Sequence, residues 1–166
     1  NAMLKNTGIN IGKSVCDEGY KNLVGEIIEK SETHNCKIYY PIDVVVSKTL
    51  DGNGTIKEIT EVNNNEMILD IGPKTIESIK NIINDTNTVL WNGPAGYFEN
   101  PNFANGTKKI LEIIANKRLK DKIYAVAGGG ETVAVINKFN KLNTFNFVST
   151  AGGAFLEYLE GKELPG

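Results

Sequence analysis

The chain has 166 residues, with 18 Lys plus Arg against 20 Asp plus Glu, a net charge of -2 and 40% hydrophobic residues. That composition excludes a disordered or collagenous chain, and at this length folding buries roughly two-thirds of the unfolded surface, enough for a core without staples. The two cysteines, Cys16 and Cys36, lack metal-ligand spacing and read as inert thiols of a reducing compartment. No apolar run approaches the roughly 20 residues of a membrane span, and the start of the chain lacks the regions of a signal peptide, so the expectation is a cytoplasmic protein with no membrane partner.

From Tyr20, the residues Tyr20, Leu23, Val24, Ile27 and Ile28 follow the spacing of one helical face, with Asp17 and Glu18 near its positive end. Lys37 to Tyr40 and Asp43 to Val46 read as short strands split by Pro41. Asp51-Gly52-Asn53-Gly54 then marks a turn before a strand over Thr55 to Glu61. Pro73 suits a first helical position, and Ile76, Ile79, Ile82 and Ile83 carry that helix to about Asp85.

Beyond this point a strand, a glycine-rich loop and a helix recur three times. Thr88 to Trp91 leads through Asn92-Gly93-Pro94-Ala95-Gly96-Tyr97-Phe98-Glu99 to a helix from about Phe103 to Ala115. Lys122 to Ala127 leads through Gly128-Gly129-Gly130 to a helix that opens at Glu131-Thr132 and carries Val133, Val135, Ile136 and Phe139. Phe145 to Val148 leads through Ser149-Thr150-Ala151-Gly152-Gly153 to a helix from Ala154 to Glu160, closed by Gly161. The alternation predicts an α/β fold, a Rossmann-like three-layer domain with a mostly parallel sheet flanked by helices. Right-handed crossovers would bring the three loops to one carboxyl edge of the sheet, where backbone amides suit a phosphorylated ligand.

Each loop has a plainer reading beside the functional one. Gly128 to Gly130 either expose amides to a phosphate or permit tight strand-to-helix packing, and Glu131 either holds a magnesium ion against phosphate oxygens or stabilises the helix dipole. The segment from Trp91 to Glu99 either shapes a pocket for a base and a ribose, with Glu99 suited to a ribose hydroxyl, or is a proline-stiffened turn with aromatic core residues. Ser149 to Gly153 read locally as an ordinary N-cap, or else as part of a phosphate-handling hinge.

Other features exclude function classes. Gly12-Lys13-Ser14 is not a P-loop, because Thr7 stands where its first glycine belongs. The triple glycine is not a dinucleotide fingerprint, because Val133 stands where the third glycine belongs. His34 is the only histidine and sits in a polar run, leaving no triad or zinc site. Arg118 is the only arginine, which disfavours an arginine cluster for a small anionic substrate, and no basic stripe with interleaved aromatics points to nucleic acid.

Several segments together carry a resemblance. Leu69-Asp70-Ile71-Gly72-Pro73-Lys74-Thr75, Trp91-Asn92-Gly93-Pro94 with Phe98-Glu99, Gly128 to Thr132, Ser149 to Gly153 and Leu159-Glu160-Gly161-Lys162-Glu163-Leu164-Pro165-Gly166 resemble phosphoglycerate kinase in order and spacing. The likeness runs over nearly the whole chain and is to the C-terminal, nucleotide-binding part of that two-domain enzyme. Leu4-Lys5 and Gly8 to Ser14 fit the segment just before it, while Asn1-Ala2-Met3 read as either native residues or an expression remnant.

The resemblance implies that residues 1–166 form an incomplete nucleotide-binding domain. The activity it implies is reversible, magnesium-dependent phosphoryl transfer between 1,3-bisphosphoglycerate and ADP, giving 3-phosphoglycerate and ATP in glycolysis or gluconeogenesis, by a full-length enzyme that is a monomer. Glu99 matches the family's ribose-binding glutamate, and Asn92 and Pro94 match its nucleotide-lining loop. Gly129, Gly130 and Thr132 match the loop around the nucleotide phosphates, and Gly152 and Gly153 match the segment near the transferring phosphoryl group. Glu131 stands where the family usually has a metal-contacting aspartate, so an extra methylene displaces the carboxylate. Ile68 occupies a position often held by glycine beside the adenine, which narrows the base pocket.

The family's 3-phosphoglycerate site, with its histidine and arginines, lies in the other domain, and a lysine-bearing nucleotide loop precedes this segment. Phosphoryl transfer depends on positioning and charge neutralisation across both substrates, so the expectation is a chain that binds ADP or ATP and is inactive alone. The alternative is a non-catalytic mononucleotide-binding module.

Overall fold

In the computed structural model, which describes residues 1–16, 19–121 and 123–164, the chain divides into two units, Asn1–Thr75 and Ile76–Gly166. The acidic start expected at Asp17 and Glu18, the strand start at Lys122 and the closing Pro165-Gly166 lie outside the described residues.

The first unit contains helices α1 (Ala2–Asn6) and α2 (Tyr20–Thr33) and strands β1 (Asp43–Ser47), β2 (Thr55–Glu58) and β3 (Met67–Ile71). Its sheet has the order β2-β1-β3 and is antiparallel at both pairings. The glycine-rich turn after β1 makes β1 and β2 a hairpin. The DIGP-containing segment then adds β3 on the other side, a strand that the sequence pattern did not announce. With neighbours on both sides, β1 is the central strand, and Val44 and Val46 join Leu4, Ile11, Ile59 and Val62 in the core.

Three expectations are corrected here. Lys37 to Tyr40 is not a strand; Pro41 removes a donor, and only Asp43–Ser47 finds partners. The strand from Thr55 ends at Glu58, and a 3-10 turn over Ile59–Glu61 delivers Ile59 to the core. On α2 only Tyr20 and Val24 are buried, while Leu23 remains 61% exposed. The Gly12-Lys13-Ser14 segment serves the sheet. Gly12 forms a bridge with Met67, and Ser14 Oγ accepts a hydrogen bond from Ile68 N at 2.8 Å.

Asp43 links β1 to the start of α3 (Pro73–Asn84). Its carboxylate, 1% exposed, accepts from Lys74 N at 3.0 Å and Thr75 N at 2.8 Å, two amides that a new helix leaves without intrahelical acceptors. Its carbonyl accepts from Gly72 N at 2.9 Å. A Cβ on Gly72 would fall 2.3 to 2.6 Å from the Asp43 carboxyl atoms, so glycine stands before the helix because a remote aspartate occupies the capping position.

The second unit carries the three repeats. Its strands are β4 (Thr88–Asn92), β5 (Tyr124–Gly128) and β6 (Phe147–Ser149), and its helices after α3 are α4 (Asn105–Asp121), α5 (Gly130–Lys138) and α6 (Gly153–Leu159). The sheet has the order β4-β5-β6 and is parallel throughout, so the α/β expectation holds with helices flanking a parallel sheet. Ala125 and Ala127 on the central strand are fully buried; such small side chains let helices approach. Leu111 and Ile114 of α4 and Val135 and Ile136 of α5 fill the layer with Phe103.

α4 starts at Asn105, not Phe103, because Pro101–Phe103 form a 3-10 turn closed by Asn100 Oδ1, which accepts from Asn102 N at 2.9 Å. β6 starts at Phe147; Phe145 follows a 3-10 turn and stacks on Trp91 with ring centroids 6.0 Å apart. Among the described residues no helix is long and apolar enough to cross a membrane.

Burial raises the Asp43 pKa, but the bonds from Lys74 N, Thr75 N and the Thr75 hydroxyl outweigh it and hold the carboxyl below its ordinary 3.8. A depressed value in the fold means stability that is complete above the unfolded pKa and lost as the pH falls through the folded one. Asp43→Ala should lower the unfolding free energy by about 2–4 kcal/mol at neutral pH. In urea unfolding, the gap between parent and variant should shrink below pH 3.8. A gap that stays constant down to pH 2 would contradict this account of α3.

Candidate functional site

The last residues of the three parallel strands stand in register. Asn92 pairs with Gly128, and Gly128 pairs with Ser149. All three glycine-rich loops therefore leave the sheet side by side at its carboxyl edge, as the repeats led us to expect. At the centre of this row, Gly129 has φ +90, and a Cβ there would lie 2.6 Å from Asn92 Oδ1. Both the backbone angle and the Asn92 amide demand glycine. Gly130 opens α5, whose first amides lack intrahelical acceptors and form the positive end of the helix. Such an end, bare of side chains at positions 129 and 130, suits an anionic oxygen.

The loop after β4 is fastened by two buried hydroxyls. Thr132 Oγ1 accepts from Gly93 N at 2.6 Å, and Thr107 Oγ1 accepts from Ala95 N at 3.0 Å and from Gly96 N at 3.3 Å. Both threonines are fully buried. The Thr132 hydroxyl thus ties two loops together, while its backbone stays in the first turn of α5. Thr107 is a residue the sequence did not single out, since nothing local distinguishes it from any other helical threonine. Trp91 and Phe98 are buried, which supports the plainer reading for the aromatics of this segment, whereas Asn92 and Glu99 are exposed and Pro94 is half-buried.

After β6, Gly152 takes φ +56 and Gly153 begins α6. The expected side-chain N-cap is absent, because Gly152 occupies the capping position and the Ser149 hydroxyl accepts instead from Ala151 N at 3.3 Å. α6 returns across the edge through Phe155, whose ring lies where a Cβ on Gly128 would be, 2.3 Å from it. The structure therefore brings together Asn92, Pro94, Gly129, Gly130, Glu131, Thr132, Gly152 and Gly153 on loops from one edge, with Glu99 at the end of the first loop. Ile68 belongs to the first unit, where it is half-buried and packs against that unit's core.

Glu131 is exposed in the first turn of α5, within the same loop as the amides. Among the described residues no three His, Cys, Asp or Glu side chains gather as a metal cluster. A single carboxylate still suits magnesium, which takes one or two protein ligands together with phosphate and water. The single arginine lies elsewhere. Arg118 is near the end of α4, which runs back toward the amino edge of the sheet, and it donates to the Asn143 carbonyl.

Comparison with known proteins is consistent across sequence and structure. The family model for phosphoglycerate kinase matches residues 1–162. A phosphoglycerate kinase of Francisella philomiragia is 44% identical over 167 residues, covering 99% of this chain and 42% of that protein. One of Plasmodium falciparum is 44% identical over 161 residues, 95% of this chain and 38% of that protein. The solved phosphoglycerate kinase of Coxiella burnetii superposes with a TM-score of 0.90 at 40% identity, over 98% of this chain and 42% of that one. The chain thus spans about two-fifths of the length of the curated relatives it matches.

The Thr132 hydroxyl makes a local prediction. Thr132→Val leaves the Gly93 amide without its acceptor and should cost about 1–3 kcal/mol, while Thr132→Ser should recover most of it. Urea unfolding followed by the fluorescence of Trp91, the single tryptophan, reads the second unit directly. Equal midpoints for the valine and serine variants would remove the tie between the loops.

Proposed function

Because the chain belongs to the phosphoglycerate kinase family, we propose that its second unit holds the nucleotide side of a reversible phosphoryl transfer between 1,3-bisphosphoglycerate and ADP, giving 3-phosphoglycerate and ATP. The observation that carries this reading is the register of Asn92, Gly128 and Ser149, which gathers three glycine-rich loops at one edge.

In this reading the amides of Gly129, Gly130 and Thr132 receive the nucleotide phosphates at the start of α5, with no side chain between backbone and ligand at the two glycines. Asn92 and Pro94 line the same edge, and the exposed carboxylate of Glu99 accepts from a ribose hydroxyl. Gly152 and Gly153 lie on the loop nearest the transferring phosphoryl group, where a positive φ at Gly152 allows close approach of backbone to ligand. Ile68 as a wall of the adenine pocket has only the family likeness behind it. Glu131 would hold magnesium, whose chemistry is to neutralise charge on the phosphate oxygens. The whole enzyme would act in the cytoplasm as a monomer, in glycolysis or gluconeogenesis.

The same reading makes these 166 residues inactive by themselves. Planar, bidentate recognition of a carboxyl-phosphate substrate favours arginine, and the one arginine donates to the Asn143 carbonyl. Supplying the positioning groups for only one of two substrates leaves phosphoryl transfer without its main source of rate.

Calorimetry with ADP and magnesium should detect binding, and Glu99→Ala should weaken it about tenfold, the loss of one charge-assisted hydrogen bond. A coupled assay with 1,3-bisphosphoglycerate should give no ATP formation from the chain alone. Unchanged affinity in the alanine variant would remove Glu99 from the site, and ordinary kinase rates would refute the inactivity. Binding that persists while no added phosphoglycerate-binding portion restores turnover would favour a non-catalytic nucleotide-binding module.

A further inference from the structure

α5 touches the loop after β4 at both of the helix's ends. In its first turn, Thr132 accepts from Gly93 N at 2.6 Å; in its last turn, Lys138 Nζ donates to the Phe98 carbonyl at 2.8 Å and lies 5.5 Å from the centroid of the Phe98 ring. Residues 132 and 138 are six positions apart, about 9 Å along a helix. The helix therefore acts as a rigid spacer between the two ends of a loop that begins at Asn92 and ends at Glu99. Phe98 is 9% exposed, so its ring is held by packing, and the Lys138 ammonium adds a charged bond to the carbonyl directly before Glu99.

We infer that Lys138 is a positioning residue for the ribose end of the nucleotide site: it clamps the Phe98 carbonyl to the far end of α5 and so fixes Glu99 relative to the phosphate-receiving amides at the near end. The inference rests on the nucleotide reading above for what Glu99 does, but the clamp itself stands on the contacts of Phe98. It separates two functions along one helix. The amides at the start of α5 address phosphate, and the lysine at its end addresses the distance from phosphate to ribose. A lysine that served only as a favourable charge at a helix C-terminus would stabilise α5 without discriminating between ligands.

The test uses the 166-residue chain with Lys138→Met, which keeps the apolar stem over the Phe98 ring and removes the charge, and Lys138→Arg, which restores a cationic donor. Calorimetry is run with two probes, magnesium ADP and magnesium pyrophosphate. The methionine variant should bind ADP about tenfold more weakly and pyrophosphate within about twofold of the parent, with arginine recovering most of the ADP affinity. Equal losses for both probes, or none for ADP, would overturn the positioning role. Hydrogen exchange of the unliganded chain decides the clamp without any nucleotide. The amides of Ala95, Gly96, Tyr97 and Phe98 should exchange several-fold faster in the methionine variant and return toward parent rates with arginine. Unchanged exchange there overturns the clamp whatever ADP does. A parent chain that binds neither probe while the exchange result holds would refute the nucleotide reading and leave the clamp standing.

Discussion

The arrangement of the second unit depends on one register. Parallel pairing of β4 with β5 and of β5 with β6 ends each strand at the same level, at Asn92, Gly128 and Ser149. Because parallel neighbours need a crossover between them, each strand end is also the start of a loop that leads to a helix. A one-residue slip at β5 would move Gly128 out of the row, put Gly129 against a different neighbour and turn the buried Ala125 and Ala127 to the opposite face of the sheet. The core and the loop cluster are thus set by the same pairing, and neither can change without the other.

A second constraint recurs in both units: a side chain from one strand occupies the volume that a Cβ would need on another segment. Asp43 of β1 does this at Gly72, before α3, and Asn92 of β4 does it at Gly129, before α5. At Gly72 the visiting carboxylate satisfies helix amides, so the result is a cap and a source of stability. At Gly129 the visitor leaves the helix amides free of a side-chain cap. One helix start is closed by a side chain of the protein, and the other is left without a side-chain cap.

The repeated strand, loop and helix units were legible because each carries its own local signals: β-branched runs, glycine clusters and apolar residues at helical spacing. Their parallel pairing followed from the alternation alone. Less legible were features that depend on distant partners. β3 was hidden because Met67 to Ile71 reads as part of a motif and gains its strand character from pairing with β1. The Lys37 to Tyr40 run had strand composition but no neighbour. Gly72 carried no sign of its cap, which comes from 29 positions earlier in the chain. Thr107 and Lys138 are ordinary helical residues until the fold sets them against the loop after β4. Ser149 illustrates the opposite error. Its hydroxyl before a helix reads as an N-cap, yet the cap position falls to Gly152, three residues later, and the hydroxyl accepts from Ala151 N instead.

In the reading proposed above, phosphate is received at the carboxyl edge of the parallel sheet, by loops that the register brings together. Amide chemical-shift mapping of the 166-residue chain during titration with magnesium ADP tests it most directly. Shifts should concentrate in residues 92–99, 129–132 and 149–153, with the amino ends of β4, β5 and β6 unmoved. Shifts centred on the amino edge of the sheet or on the turn at Asn143, with the three loops silent, would contradict it.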